Sequence, residues 1–422
     1  MQQQKLKPCN LIVLPNKKFK SIIFYVAFPY QRLEKDVILA PLLGDLLINT
    51  SRKYPKEELF ARAKTKKYIM SYQSYTYFSY QQALMEYVTI TPEPEVINQQ
   101  HLAEVFNFMI DAIYDPYLPK NNFSEELLNI QKNIIYQGVL NNRERITPFA
   151  RNRLWQLIDD VGYLKNNLYS LGDEIPDVTP SMIKEFYERT IINNQPLFIV
   201  MGNIEKAAVK QLVVDKGFTI KPKYQPLLAY DCFLKPQQTT INYVEETKNF
   251  HETAVLIACK VKQMTKEDKF LLDAVDMLIS SQSSNIIRKF LRDDRGLTYS
   301  AGSMTMQNSG VLALLALTDL VNKEAVIKQL KKVLKYLQNE AAIAPLLENV
   351  KEKLYVIYKA DADHKSTYIN NKAKKIFNYA PTSYEIYRTT KKFTAHDIAV
   401  FAKRIKIDTI LVVKGEQKHG TN

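Results

Sequence analysis

The sequence predicts an α+β protein built from two tandem homologous domains, each with helices packed on a mostly antiparallel sheet. Two observations support this prediction. The order strand, helix, strands, long helices and final strand occurs twice along the 422 residues. The composition, 46% hydrophobic with only 11 glycines, is typical of a globular chain with large cores.

The repeat is clearest in the first strand and helix of each half, which recur 232 residues apart, from residue 21 to residue 253. Ser21–Val26 (SIIFYV) is a strand-forming run, followed by charged residues 34–36 and the helical run VILAPLLGDLLI. Thr253–Lys260 (TAVLIACK), charged residues 266–268 and FLLDAVDMLIS repeat this order. The charged residues suit the beginning of a helix in both copies.

The later elements also occur twice. LLNIQK at 127–132 resembles LLENVK at 346–351, each inside a predicted long amphipathic helix. Thr179 and Thr394 each begin a helix, and the strands PLFIVMG and TILVVKG each end at a glycine. We therefore predict domains at residues 1–220 and 239–422, joined by a proline-bearing linker at 221–238.

Composition also bears on partners and location. The 58 basic and 44 acidic side chains give a net charge of +14, but the lysines are interleaved with apolar residues at helical spacing. This pattern favours solvated helix faces, or attraction to acidic peptides or an acidic subunit, over nucleic-acid binding. No apolar run is long enough for a membrane helix and no signal peptide is evident, so we expect a cytoplasmic protein without a membrane span.

The residues offer little for metal or nucleophilic chemistry. The five histidines are scattered, with no HxxEH or HxxxH spacing, so a helical zinc site is excluded and only a site built from distant histidines stays open. No GxSxG, GxxxxGK or GxGxxG motif occurs. Cys259 lies inside an apolar strand, where an inert buried thiol is expected.

The informative stretch is SSNIIRKFLRDDRGLTYSAGS at residues 283–303. Arg292 falls near the end of an amphipathic helix, Gly296 suits its C-terminal turn, and Tyr299 begins a strand. A guanidinium and a phenol so placed can converge on a peptide carbonyl. Judged by chemistry alone, a helix-capping or ion-pairing role for Arg292 and a core role for Tyr299 are favoured.

LRDDRGLTYS resembles the arginine–tyrosine motif in the C-terminal half of insulinase/pitrilysin-type zinc peptidases. The resemblance covers nearly the whole chain, including the doubled halves, the segment ending at Asp173 and the NQPLFIVMGN strand. It implies that Arg292 and Tyr299 bind the substrate backbone and help to stabilise the reacting carbonyl.

The sequence departs from this family where active members carry HxxEH. Pro41, Gly44 and Asp45 stand there instead, and Gln137 takes the position of the third metal ligand. The chain therefore resembles the zinc-free, YfmF-like subunit of the bacterial two-subunit branch. The resemblance implies no metal or cofactor here, with zinc in a homologous HxxEH-bearing partner.

The expected function is that of the non-zinc subunit of a heterodimeric metallopeptidase, which is inactive alone. It would contribute Arg292 and Tyr299 to a shared chamber in which peptides are cleaved or matured. The alternatives are a non-catalytic scaffolding protein and a peptide-binding protein of the same fold.

Overall fold

The structure is a computed structural model, which describes residues 7–93, 95, 99–221, 231–236, 240–281, 285–293, 296–377 and 380–415. The chain forms two compact units: unit 1, residues 1–139 and 171–229, and unit 2, residues 140–170 and 230–422. Residues 140–170, on the first-domain side of the predicted boundary, thus pack with unit 2. Most of the predicted linker, 222–230 and 237–238, lies outside the described residues. The boundaries of the folding domains stay a prediction.

Unit 1 is built around a sheet whose order is β3-β4-β2-β5-β1-β6. Its strands are β1 (Lys7–Pro15), β2 (Ser21–Gln31), β3 (Ser71–Phe78), β4 (Gln82–Pro92), β5 (Leu197–Gly202) and β6 (Phe218–Ile220). The pairing is antiparallel except where β1 meets β5 and β6. Its helices are α1 (Asp36–Asn49), α2 (Glu57–Lys66), α3 (Gln99–Tyr114), α4 (Glu125–Arg143, which continues into unit 2), α6 (Pro180–Tyr187) and α7 (Lys206–Asp215).

Unit 2 contains a sheet of order β7-β11-β8-β10-β9, antiparallel except for the pair β7 and β11. Its strands are β7 (Asn242–Lys248), β8 (Thr253–Val261), β9 (Ser300–Met306), β10 (Val311–Thr318) and β11 (Ile405–Gly415). Its helices are α5 (Ile146–Ile158), α8 (Asp268–Ser280), α9 (Ile286–Arg288), α10 (Lys323–Tyr336), α11 (Glu340–Asp361), α12 (Lys365–Phe377), α13 (Ser383–Thr390) and α14 (Ala395–Arg404).

The two units confirm the predicted α+β class and its repetition. β2 and β8 begin at residues 21 and 253, and α1 and α8 begin at 36 and 268, so both pairs keep the spacing of 232 residues. The strand order β1-β5-β2-β4-β3 of unit 1 is the order β7-β11-β8-β10-β9 of unit 2, with β6 added at one edge.

The sheet of unit 2 carries a hydrophobic core on each face. One core joins alternate residues of β8, such as Val255 and Ile257, to the helices α8, α10, α11 and α14. The other joins the intervening residues, such as Ala254 and Leu256, to α5. Every residue of β8 is therefore buried, and its run is continuously apolar rather than alternating.

The predicted helix starts are confirmed at two threonines. The Thr179 side chain accepts a hydrogen bond from the N–H of Met182, with Pro180 in the first helical turn. Thr394 forms a reciprocal capping box with Asp397. The two LL…K segments lie in α4 and α11, the long helices that the sequence predicts.

In each unit a buried aspartate at the start of the first helix pairs with an arginine from much later in the chain. Arg189 donates to Asp36 in unit 1 at 2.5 Å, and Arg404 donates to both oxygens of Asp268 in unit 2 at 2.7 and 2.9 Å. Arg189 lies in the segment before β5, and Arg404 ends α14 directly before β11. Each pair therefore joins the first helix of its unit to the segment that precedes the equivalent strand, β5 or β11. Within the described part of the chain, no helix combines the length and apolarity needed to cross a bilayer.

Candidate functional site

The predicted arginine–tyrosine motif lies in unit 2, between α9 and β9. α9 is extended by a π-helical turn, Lys289–Asp293, and Ile286, Ile287 and Leu291 anchor the segment in the core. Gly296 has φ of +59°, as the predicted C-terminal turn requires, and its N–H donates to the carbonyl of Arg292 at 2.8 Å. Residues 283, 284, 294 and 295 of the stretch 283–303 lie outside the described residues.

Arg292 lies in the π-helical turn with an exposed side chain. Among the described residues its guanidinium makes no hydrogen bond or ion pair. The neighbouring Arg288 behaves differently, because it donates to the carboxylate of Asp293 at 3.0 Å. The described contacts therefore leave the five donors of Arg292 available to a ligand. π-Helical turns occur frequently at functional sites.

Tyr299 stands just before β9, and 55% of its surface is exposed. Its N–H donates to the carbonyl of Leu317 on β10, which fixes the backbone. Its hydroxyl donates to Oδ1 of Asp319 at 2.7 Å, and this hydrogen bond raises the pKa of the phenol. Tyr299 is therefore not a core residue, and its hydroxyl already has an acceptor.

Asp319 is the residue near this site that the sequence analysis missed. It follows β10 directly, and no motif marks it, because only the pairing of β9 with β10 brings residues 299 and 319 together. A hydrogen-bonded carboxylate holds the phenol oxygen in place and leaves its lone pairs able to accept from a substrate N–H. No hydrogen bond joins Arg292 to Tyr299 within the described residues.

The degenerate metal motif lies on α1 in unit 1. Pro41 offers no donor atom, and a Cβ placed on Gly44 would lie 2.5 Å from Oγ of Ser74 on β3. Asp45 is half-buried, and burial raises the pKa of its carboxyl. A single carboxylate is one potential ligand of the three that a catalytic zinc needs, so this turn does not fit zinc.

The remaining candidate ligands are dispersed. Gln137 is an exposed residue of α4, whereas Gln131, on the same helix, is buried and donates to Glu57 at 3.2 Å. His101 is buried against Thr91, and His396 contacts Glu340. Over the described ranges, no group of three or more His, Cys, Asp or Glu side chains could hold a metal ion. Cys259 is buried as predicted, and burial raises the pKa of its thiol.

Sequence comparison matches part of the chain to a known protein family. Residues 177–354 match the family model described as the Peptidase M16 inactive domain. No curated protein sequence matches the chain.

Similar solved structures cover the full length. A conserved protein from Enterococcus faecalis V583 is 17% identical, with a TM-score of 0.84 over 100% of this chain and 99% of that chain. A peptidase M16 inactive domain from Pseudomonas fluorescens is 14% identical, with a TM-score of 0.73 over 97% and 96%. The periplasmic protease PqqL from Escherichia coli is 13% identical, with a TM-score of 0.69 over 99% of this chain but only 48% of that chain.

These likenesses agree with the resemblance of the sequence to insulinase/pitrilysin-type peptidases. The chain has the fold of M16-like peptidases, and its residues 177–354 match the inactive domain of that family.

Proposed function

We propose that this chain is the zinc-free, YfmF-like subunit of a heterodimeric metallopeptidase, to which it contributes Arg292 and Tyr299 for binding substrate. The observation that carries the proposal is the contrast between the two motifs. Arg292 and Tyr299 present polar groups to solvent, whereas the α1 turn at Pro41 and Gly44 holds no set of metal ligands.

The partner is a homologous subunit with its own HxxEH motif, which supplies zinc and the base that activates water. The likeness to PqqL supports this arrangement, because a fold of this size corresponds to about half of that longer protease. The guanidinium of Arg292 donates to the oxygen of the peptide carbonyl as negative charge develops on it, and the Tyr299 phenol orients the substrate backbone. A donor aimed at a developing oxyanion contributes about 3–4 kcal/mol to transition-state stabilisation.

Peptide cleavage by the two-chain complex tests the proposal. We expect Arg292→Ala to lower kcat by about a hundredfold or more with an unchanged melting temperature, because its side chain is exposed. Arg292→Lys should restore little, since an ammonium group cannot reproduce the planar fork of donors. Tyr299→Phe should lower turnover and leave partner binding intact.

Arg288→Ala is the matched control, because Arg288 is one helical turn away and pairs with Asp293 at the surface. It should retain activity. Full turnover in Arg292→Ala and Tyr299→Phe would contradict the proposal.

A non-catalytic role in scaffolding or peptide binding is the second candidate, and the bond from Tyr299 to Asp319 favours it. If that pair is purely structural, Tyr299→Phe and Asp319→Asn should both lower the melting temperature. Turnover of any complex should then stay unchanged.

A further inference from the structure

The last two turns of α11, residues 355–361, are only partly covered by the described part of the chain. Leu354 is the last buried residue of this helix, and none of residues 355–361 is buried. Three consecutive apolar or aromatic side chains are exposed there, with exposed fractions of 45% for Tyr355, 63% for Val356 and 38% for Ile357. A helix usually turns such residues toward a core, so this exposed segment indicates a surface that is covered by a partner.

Four tyrosines form one cluster between this half of α11 and α13. Tyr358 stacks on Tyr387 with ring planes 4° apart and centroids 5.7 Å apart. Tyr355 lies against Tyr387 at 5.5 Å, and Tyr384 lies against Tyr358 at 5.2 Å. Within the described residues none of the four hydroxyls has a hydrogen-bond partner. The rings are therefore fixed by one another, while their hydroxyls stay available to a ligand.

Three cations lie over these rings. Lys359 is 5.5 Å from the Tyr355 ring centroid, Arg388 is 5.9 Å from that of Tyr384, and Lys391 is 5.9 Å from that of Tyr387. None of the three forms an ion pair within the part of the chain that the structure describes. The sole carboxylate of α13, Glu385, is engaged in the capping box of Thr382. Asp361, at the end of α11, is the carboxylate of this surface outside the capping box, so the three cations leave the surface with an excess of positive charge beside the phenol groups.

We propose that this tyrosine–cation surface, formed by residues 355–361 of α11 and by α13 with the adjacent Lys391, is the docking site for an acidic segment of a protein partner. Carboxylates of the segment would accept hydrogen bonds from the three cations and the phenols. Its apolar residues would cover Val356 and Ile357. The proposal goes beyond the proposed peptidase role and does not depend on peptide cleavage.

A protein segment fits this surface better than a nucleic acid does. Bases bind single-stranded sites by stacking on free aromatic faces. Here Tyr358 and Tyr387 stack on each other, and cations cover Tyr355 and Tyr384. What remains accessible are hydroxyls and cationic groups, which recognise carboxylates.

The test uses fluorescence anisotropy of the full chain with a labelled peptide in which glutamate and leucine alternate. The reference probe is the same peptide with glutamine in place of glutamate. We expect the glutamate peptide to bind at least about tenfold more tightly at 0.15 M salt. The triple variant Lys359→Gln, Arg388→Gln, Lys391→Gln should abolish this preference, and Val356→Ser with Ile357→Ser should weaken both peptides without a change in melting temperature.

The matched control replaces Lys328, Lys331 and Lys335 of α10 with glutamine. These lysines are exposed, the charge removed is the same, and no aromatic ring lies beneath them in the described contacts. The control should bind as the unmodified chain does. Equal loss in the control, no preference for glutamate, or tighter binding of a single-stranded oligonucleotide of equal charge would each overturn the proposal.

Discussion

The first helix of each unit, α1 or α8, packs on the equivalent edge strand of its sheet, β3 or β9. The side chains at the two contacts differ: one contact has no polar group on the helix, and the other has a carboxylate. Residue 44 of α1 corresponds to residue 276 of α8 by the spacing of 232. Gly44 packs so closely on β3 that a Cβ would lie 2.5 Å from Oγ of Ser74. Asp276 instead accepts a hydrogen bond at 2.5 Å from the hydroxyl of Ser303 on β9. The repeat thus preserves the backbone arrangement but not the side chains at this contact.

The same comparison extends one helical turn toward the N-terminus. Residue 41 is a proline in α1, whereas the corresponding Asp273 of α8 is buried and accepts a hydrogen bond from Gln307. Its second oxygen, Oδ2, has no partner among the described residues. At the place where the family resemblance implies metal ligands, unit 1 has Pro41 and Gly44, whereas the corresponding positions of unit 2 hold one buried and one half-buried carboxylate. Positions that are equivalent in the fold of the two units therefore need not have side chains of the same chemistry.

Removing the arginine of each aspartate–arginine pair should give the largest difference in the free energy of unfolding between the two units. Arg404 contacts both oxygens of Asp268 and also donates to the carbonyls of Lys262 and Gln263, whereas Arg189 contacts one oxygen of Asp36 and the carbonyl of Gln31. We expect Arg404→Ala to lower the free energy of unfolding by roughly 3–5 kcal/mol, because it leaves a buried carboxylate unpaired.

Arg189→Ala should cost less than Arg404→Ala. Burial raises the pKa of Asp36, whereas burial of Asp268 is outweighed by hydrogen bonds from Arg404 and Thr265, which lower the pKa of that carboxyl. Urea unfolding at pH 7 measures both variants. Equal losses would show that the two pairs are energetically equivalent.

Gly44→Glu should have the next largest effect. The substitution places a charged side chain where Ser74 occupies the space, so it costs about 3 kcal/mol of stability through displacement and burial of an unpaired charge. Asp276→Glu is the control in unit 2, where a carboxylate already has a donor, and it should cost less than half as much. Thermal melting measures the stability of both variants. A Gly44→Glu variant as stable as the parent would show that β3 can move away from α1 without loss of stability.

The carboxylates of α8 predict a pH dependence that α1 lacks at Pro41. Burial raises the pKa of Asp273 to about 7, with a further increase from the nearby charge of Asp276. Between about pH 4 and 7 the folded chain holds a proton that the unfolded chain releases, so this group contributes less stability as pH rises.

Asp273→Asn keeps an acceptor for Gln307 and cannot ionise. Its stability relative to the parent should rise by about 3 kcal/mol from pH 4 to pH 7 and level off above about pH 8. Urea titrations at half-unit pH steps measure this difference. A difference that is flat over the range would contradict the prediction.

The two serines should give the smallest effect. Ser303→Ala removes the donor to the half-buried carboxylate of Asp276 and should cost about 1–2 kcal/mol. Ser74 lies against Gly44 and shares a hydrogen bond with the Tyr87 side chain, so Ser74→Ala leaves no carboxylate without a donor and should cost about 1 kcal/mol less. Melting curves of both variants, with the double variant Asp276→Ala and Ser303→Ala to separate the pair from each residue, measure the difference.

The fold class, the repeat and the helix starts could all be predicted from the sequence. Strand and helix periodicity, the spacing of 232 residues and caps such as Thr394 are local properties of the chain, and each depends on a few neighbouring residues. The same holds for the turn at Gly296, because a residue without a Cβ adopts the positive φ of a helix C-terminal turn at little cost. The exposure of Arg292 follows from its place at the polar end of an amphipathic segment.

The contacts between distant residues could not be predicted from the sequence, because they depend on how strands pair and helices pack. Strand pairing brings Asp319 to Tyr299, and helix packing brings Ser74 to Gly44 and Arg404 to Asp268. It also assigns α5 to unit 2, where that helix covers the second face of the sheet. Such contacts join residues that lie far apart along the chain, and local propensity carries no information about them, because burial and register are set by the whole fold.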